Sequence, residues 1–332
     1  MTDPTAPPFA GLTPDTVLDA IDATGLFAAG QVLALNSYEN RVFQVGLDEP
    51  LAGARFVIAK FYRPGRWSDA QILEEHAFLA ELVEAEVPAV APIVMGGRTL
   101  LEHAGFRYAL FPRRGGRAPE LEDAATLEWL GRFLGRIHVV GARRVYQHRP
   151  ALDLQTYGVE PRAFLLETGC LPPELASVYA GVSQQVLDGV ARAFERAGAV
   201  RQLRLHGDVH EGNVLWTDHG PHFVDFDDSR MGPAVQDLWM LLGHEREEQQ
   251  RRLTDLLVGY EDFAEFDLRQ LHLIEALRSL RLIHYSAWIA RRWHDPAFPA
   301  AFPWFDSPRY WEARILELRE QVAAMDEPLL VA

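Results

Sequence analysis

One run constrains this chain more than any other: Arg204-Leu205-His206-Gly207-Asp208-Val209-His210-Glu211-Gly212-Asn213-Val214-Leu215-Trp216, followed closely by Phe223-Val224-Asp225-Phe226-Asp227-Asp228. It reads as strand, tight loop, strand, turn, strand. Leu203 and Leu205 lead in, and Gly207 and Gly212 permit a sharp bend. Val214, Leu215 and Trp216 are strand formers, Asp218-His219-Gly220-Pro221 supply a turn, and Phe223 and Val224 return. The pattern predicts a hairpin that brings Asp208, Asn213 and Asp225 to one edge. A lone aspartate in a loop is as a rule structural or merely solvated. These residue types at these spacings form a far more specific signal.

Such a set suits phosphoryl transfer. Asp208 can accept the proton of an attacking hydroxyl, while Asn213 and Asp225 offer hard oxygen ligands to Mg²⁺, which offsets phosphate charge. The step from Asp208 to Asn213 is that of a kinase catalytic loop, His-Arg-Asp then Asn, with Gly207 in place of the arginine. Asp225 follows a hydrophobic pair, as the Mg-binding aspartate of kinases does. Here Phe226-Asp227 replaces Phe-Gly.

Together with Gly232-Pro233-Ala234-Val235-Gln236-Asp237-Leu238-Trp239, these motifs resemble the aminoglycoside-phosphotransferase-like kinases. Within that family the chain looks most like a bacterial branch of serine/threonine protein kinases. The resemblance spans nearly the whole chain. It implies an α+β, bilobal, protein-kinase-like fold: an antiparallel-sheet N-lobe with one long helix over 1–111, and a mostly helical C-lobe over 112–332. It implies ATP as co-substrate with Mg²⁺, Asp208 and Asp225 as catalytic residues, and Asn213 and Asp225 as metal ligands. It places Asp237 beneath the catalytic loop, bonding its backbone, with His206 bracing the same loop. It also implies serine or threonine of proteins as acceptor, autophosphorylation, and a stress-response role.

Composition sets outer bounds. At 332 residues the chain is long enough for two lobes and a sizeable core. No apolar run approaches the ~20 residues of a membrane span, and Met1-Thr2-Asp3-Pro4 lacks the start of a signal peptide. The single cysteine, Cys170, excludes an intramolecular disulfide and any multi-cysteine metal site. These features agree with a cytoplasmic protein; a monomer is expected. A net charge of −15 argues against a chain-wide nucleic-acid or anionic-membrane binder.

Residues 1–10 read as a loose tail, and Thr13-Pro14 opens a first helix. Strands follow over Gln31–Leu35 and Arg41–Val45. Between them Ser37-Tyr38-Glu39-Asn40 lacks the glycines of a phosphate-capping loop, so on residues alone a plain turn is the better reading. The family resemblance turns Ser37, Tyr38, Glu39 and Asn40 into ATP-site candidates. Lys60 interrupts the apolar strand Ala54–Tyr62 and fits the Val-Ala-Ile-Lys pattern of a phosphate-holding lysine, though an edge lysine facing water is the plain alternative. The next helix runs from Ser68-Asp69 to about Glu84, with Leu73, Ala77, Phe78, Leu79 and Leu82 expected inside. Either Glu74 or Glu75 should meet Lys60, and Glu75 lies nearer the buried stripe. Strands near 99–101 and 106–111 lead to a hinge at Pro112–Arg117, where Phe111 is an adenine-site candidate.

Beyond Pro119 the periodicity is helical. One long helix ends near His138, Ala234–Leu242 reads as a buried helix, and 248–292 reads as mainly two helices. Arg278, Arg281, Tyr285, Trp288, Arg291, Arg292 and Trp293 form a basic-aromatic side. It is either ordinary packing with snorkelling arginines or a wall of a substrate groove. His206 and His210 could imitate a metal pair, but no third ligand sits at suitable spacing. Asp227 and Asp228 read as solvated or as second-metal ligands. Two other classes of function stay open: a small-molecule kinase for homoserine, choline or an aminoglycoside, and a nucleotide-binding pseudokinase.

Overall fold

The computed structural model describes residues 7–331. The chain forms two compact units. One runs through Ala118 and takes in Val214–Asp227; the other comprises Pro119–Asn213 and the chain from Asp228 onward.

In the first unit, α1 (Pro14–Asp22) begins at Thr13, whose hydroxyl accepts the N–H of Thr16 at 3.2 Å. An antiparallel sheet follows: β1 (Ala28–Leu35), β2 (Arg41–Leu51), β3 (Ala54–Phe61), β4 (Leu101–His103) and β5 (Phe106–Pro112), in the order β1-β2-β3-β5-β4. Lys60 lies on the central strand β3, between Val42 and Ala109. It is therefore not an edge lysine, and it is buried. Val17, Ile21, Val45, Val57, Phe61 and Leu110 build the core beneath the sheet. Of the tail expected over 1–10, residues 1–6 lie outside the described residues. Residues 7–10 are not loose: Phe9 stacks on Phe106 with ring centroids 6.5 Å apart, and the Arg41 guanidinium sits 4.5 Å over its ring.

Helix α2 (Asp69–Glu84) starts in a capping box of Ser68 and Gln71. Its buried residues are Ile72, Glu75, His76, Phe78, Leu79 and Leu82, whereas Leu73 and Ala77 are exposed. The inward stripe carries His76 where apolar periodicity expected an alanine. The imidazole can sit there because Tyr62 Oη and Thr99 Oγ1 bond its two nitrogens at 2.8 and 2.9 Å.

The hairpin Val214–Thr217/Gly220–Phe223 belongs to this unit, and its turn is only Asp218-His219. Trp216 exchanges backbone hydrogen bonds with Arg117 at 2.7 and 3.0 Å, and Phe223 N–H donates to Pro88 at 2.9 Å. A side chain at Gly116 would come within 2.8 Å of Leu215. These bonds carry the first unit past the expected boundary at 111/112, to Ala118.

The second unit is helical: α3 (Ala124–Gly141), α4 (Glu160–Glu167), α5 (Pro173–Ala197), α6 (Gln236–Trp239), α7 (Arg246–Tyr260), α8 (Ile274–Arg291), α9 (Ala297–Ala301) and α10 (Pro308–Ala324). Helices α3 and α7 approach so closely that a methyl at Gly131 or Gly259 would overlap the facing backbone. The helix expected over 234–242 is only the single turn α6. The Val235 N–H is drawn to Gln270 Oε1 at 3.0 Å, the bonds around α6 are mostly of the tighter i→i−3 kind, and Gly243 at φ +85° ends the run. Leu203–Arg204 pairs with Met231–Gly232 rather than with the hairpin. The single hairpin edge expected for Asp208, Asn213 and Asp225 is thus divided: the first two belong to the helical unit, Asp225 to the sheet-bearing one.

Candidate active site

The helical unit builds a loop from Leu205 to Asn213 on buried polar supports. Asp237, fully buried, accepts the N–H groups of His206 and Gly207, each at 2.8 Å, and its Oδ2 lies 3.1 Å from His138 Nε2. Tyr260 closes the chain at 2.9 Å from His138 Nδ1. Gln236 donates to the Gly207 carbonyl at 2.9 Å, and Ser229 Oγ to the Leu205 carbonyl at 2.6 Å. Gly207 sits at φ +91°, and a methyl there would overlap the Asp228 carbonyl, so the bend requires glycine. His206 is buried, its Nδ1 accepting the Asp208 N–H at 3.3 Å.

This scaffold presents the Asp208 carboxylate. Arg281 on α8 donates from Nη1 to Oδ1 at 2.5 Å, and His210 Nε2 lies 3.5 Å from Oδ2. Burial raises the carboxyl's pKa, but the Arg281 charge and the His210 contact outweigh it and hold the group well below the usual carboxylate range. Asn213 donates through Nδ2 to the Asp208 carbonyl at 2.9 Å. That bond fixes the amide and leaves its Oδ1 as the end that can ligate a metal.

The sheet-bearing unit gathers a second set. Lys60 Nζ lies 2.9 Å from Asp225 Oδ1 and 3.2 Å from Asp227 Oδ1. Burial opposes the ammonium charge, but Asp225, Asp227 and Glu75 together keep its pKa well above 10.5. Glu75, fully buried on α2, thus acts on Lys60 as the third of these carboxylates. Asp225 adopts φ +60°, a conformation costing about 1–3 kcal/mol for a non-glycine residue. It keeps half of its side chain exposed between the buried Phe223 and Phe226. Phe226 meets Phe78 of α2 edge to face, with centroids 6.0 Å apart.

Asp227 is not solvated. It is 3% exposed and pairs with Arg66 at 2.5 Å as well as with Lys60. Arg66 and Arg63 both reach Glu39, at 3.4 and 2.9 Å. Arg63 also donates to the carbonyls of Tyr38 and Glu39, and its N–H to Asn40 Oδ1 at 3.0 Å. The side chains of Glu39 and Asn40 therefore shape the loop between β1 and β2. What that loop can offer phosphates is its backbone, the half-buried Ser37 and the exposed Tyr38. Phe111 packs with Tyr62, Ile72 and Ala109 near the end of β5, and its backbone pairs with Ile58 of β3.

Each unit carries donor chemistry suited to a hard cation: an amide oxygen on Asn213 in the helical one, and in the sheet-bearing one a half-exposed carboxylate on Asp225 with cationic Lys60 beside it. Asp228 pairs with Arg230 at 3.0 Å instead. Three residues escaped the sequence reading. Arg281 was visible only as one of several basic residues on a helix, 73 positions from Asp208. Arg63 and Arg66 stood beside a strand end. The one available signal was Asp227, the first acid in Phe-Asp-Asp, which demands a cationic partner if buried.

Residues 31–274 match the model of the APH family, described as a phosphotransferase enzyme family. Stress response kinase A of Escherichia coli K12 is 44% identical over 97% of this chain and 96% of its own length. A Salmonella typhimurium relative named serine/threonine protein kinase RdoA is equally similar, with the same coverage. Among solved structures, an amicoumacin kinase in complex with AMP-PNP, Ca²⁺ and amicoumacin shares the fold, at 20% identity and a TM-score of 0.72 over 96% of this chain and 95% of that one.

Proposed function

The chain belongs to the phosphotransferase enzyme family, and from that premise we propose that it is a kinase moving the γ-phosphate of ATP to a protein serine or threonine. Relatives named stress response kinase A and serine/threonine protein kinase support the acceptor and a stress-response role. The observation that carries the reading is the Asp208 carboxylate: ionised by Arg281, and mounted on a loop whose amides are held by buried Asp237.

In this reading Asp208 orients the acceptor hydroxyl and takes its proton as the new O–P bond forms and the bond to the leaving phosphate breaks. Its depressed pKa makes it a weak base, which suits a transfer whose loose transition state develops little charge on the nucleophile. Arg281 holds Oδ1 at 2.5 Å, so the proton goes to Oδ2, which His210 and Asn213 approach only to 3.5 Å. Lys60 carries a permanent positive charge for the phosphates and exchanges Asp225 and Asp227 for them. Asn213 and Asp225 would hold Mg²⁺, which offsets phosphate charge when bound. Ser37, Tyr38 and the backbone of Glu39 and Asn40 would cap the phosphates, and the adenine would lie near Phe111, where β5 ends.

The test is transfer from γ-labelled ATP with Mg²⁺ to the chain itself and to a generic protein acceptor, followed by phosphoamino-acid analysis. Label on serine or threonine is expected. Label only on small alcohols such as homoserine or choline would move the acceptor to that class. Tight ATP binding with no transfer would make the chain a pseudokinase.

A further inference from the structure

A cavity of about 1190 Å³ lies within the helical unit, its walls including Trp239, Arg278, Arg281, Tyr285, Arg314 and Met325. Two of its arginines are already engaged. Arg278 is engaged by Glu275 at 3.3 Å, by the Gly243 carbonyl at 3.1 Å and by the Trp239 ring at 5.2 Å. Arg314 is engaged by Glu317 at 2.6 Å.

Arg281 differs. Only its Nη1 is used, on Asp208 Oδ1, and among the described residues Nε and Nη2 make no hydrogen bond. Its side chain is 40% exposed and forms part of the cavity wall. A guanidinium is a rigid planar fork that takes a carboxylate or phosphate two-pronged. One arm of this fork touches Asp208, and the same side chain lines a cavity large enough for an acceptor segment.

We propose that Arg281 is a specificity-determining residue: it holds an anionic group beside the acceptor hydroxyl, so that the preferred acceptor is a serine or threonine flanked by acidic side chains. The proposal rests on the protein-acceptor reading above. A cation in the same place would face Arg281 as a like charge, which selects against basic flanks. The anion would draw on donors that Asp208 does not use, so acceptor binding and the orientation of Oδ2 reinforce each other.

The experiment compares peptides that differ only in the residues flanking one serine: Glu, Gln, Lys or phosphoserine. Wild type should take the Glu peptide with kcat/KM ~10-fold above the Gln peptide, through KM, as one added charge-assisted contact implies. The Lys peptide should be the poorest. Arg281→Met should bring the Glu/Gln ratio to about one, and Arg281→Lys should keep part of it. A phosphoserine peptide preferred over Glu would support anion reading and assign it to phosphate.

A wild-type Glu/Gln ratio at or below one would overturn the proposal. So would an Arg281→Met variant slowed equally on every peptide, which would put Arg281 on the transferred group or on Asp208 alone. If small alcohols but no peptides are substrates, the protein-acceptor reading fails separately. The ratio is then read on N-acetylhomoserine against homoserine amide, where a preference for the anion keeps Arg281's role and its absence removes it. Transfer to no acceptor at all overturns both.

Discussion

Asp208 and Lys60 each have their charge fixed by neighbours, and that has consequences for pH and stability. Because the folded pKa of Asp208 is depressed, the stability it lends is present above the unfolded carboxylate value of ~3.9 and is lost only as pH falls through the lower folded value. Asp208 therefore does not titrate between about pH 5 and 8, and kcat/KM measured over that range should show no acid limb attributable to it. A limb near pH 5 that disappears in Asp208→Asn would contradict this. Lys60 has the opposite sign. Its contribution is full below the unfolded value of ~10.4 and is lost only as pH rises through the still higher folded value. Lys60→Met leaves Asp225, Asp227 and Glu75 without their shared cation; because Asp225 is half exposed and Asp227 keeps Arg66, the cost falls below the full buried-pair value, to about 1–3 kcal/mol. Denaturant unfolding should show a loss of that size, together with weaker ATP binding; unchanged stability would mean that the lysine is dispensable to the cluster.

At the scale of elements, the loop from Leu205 to Asn213 is held by groups on other segments rather than by regular structure of its own. Asp237→Ala frees two buried N–H groups, each worth about 1–3 kcal/mol of desolvation when unsatisfied. The expected outcome is a fall in melting temperature and a fall in kcat larger than any change in KM for ATP, because ATP's proposed ligands lie mostly in the other unit. Equal damage to kcat and KM would argue that Asp237 supports the whole unit rather than the loop. The elements also mark how far sequence reading reaches. Asp208, Asn213, Asp225 and Lys60 can be proposed from sequence because their signals are local: fixed spacing in a loop, or one charge in an apolar strand. The partners of Asp227 and Asp208 cannot, because Arg66 and Arg281 come from distant segments and only packing brings them close. The inward stripe of α2 was misread at Leu73 and Ala77 because His76 can be buried once Tyr62 and Thr99 satisfy it, and those partners lie outside the helix.

At the scale of the molecule, the chain crosses between its two units three times, at 118/119, 213/214 and 227/228. The hairpin Val214–Phe223 bonds to Arg117 and Pro88 of the sheet-bearing unit. Hydrogen exchange should therefore show the amides of Trp216 and Phe223 opening with the five-stranded sheet, and those of His206 and Gly207 opening with the helical unit. A common opening of hairpin and loop, distinct from the sheet, would mean that the two form one cooperative element. The fold class itself was readable from the switch of periodicity after β5, from strands to helices. The discontinuous first unit was not, since a hairpin's local pattern does not say which sheet-bearing body it will join.

The claim that Asp208 is the group that activates the acceptor is tested most directly by Asp208→Asn, a change that keeps the shape and removes the charge. Label transfer from γ-labelled ATP is measured beside ATP affinity and melting temperature for both proteins. Transfer should fall by ~10²–10⁴ with ATP affinity kept within a few fold, as loss of a positioned general base implies. Transfer at the wild-type rate in Asp208→Asn would contradict the account.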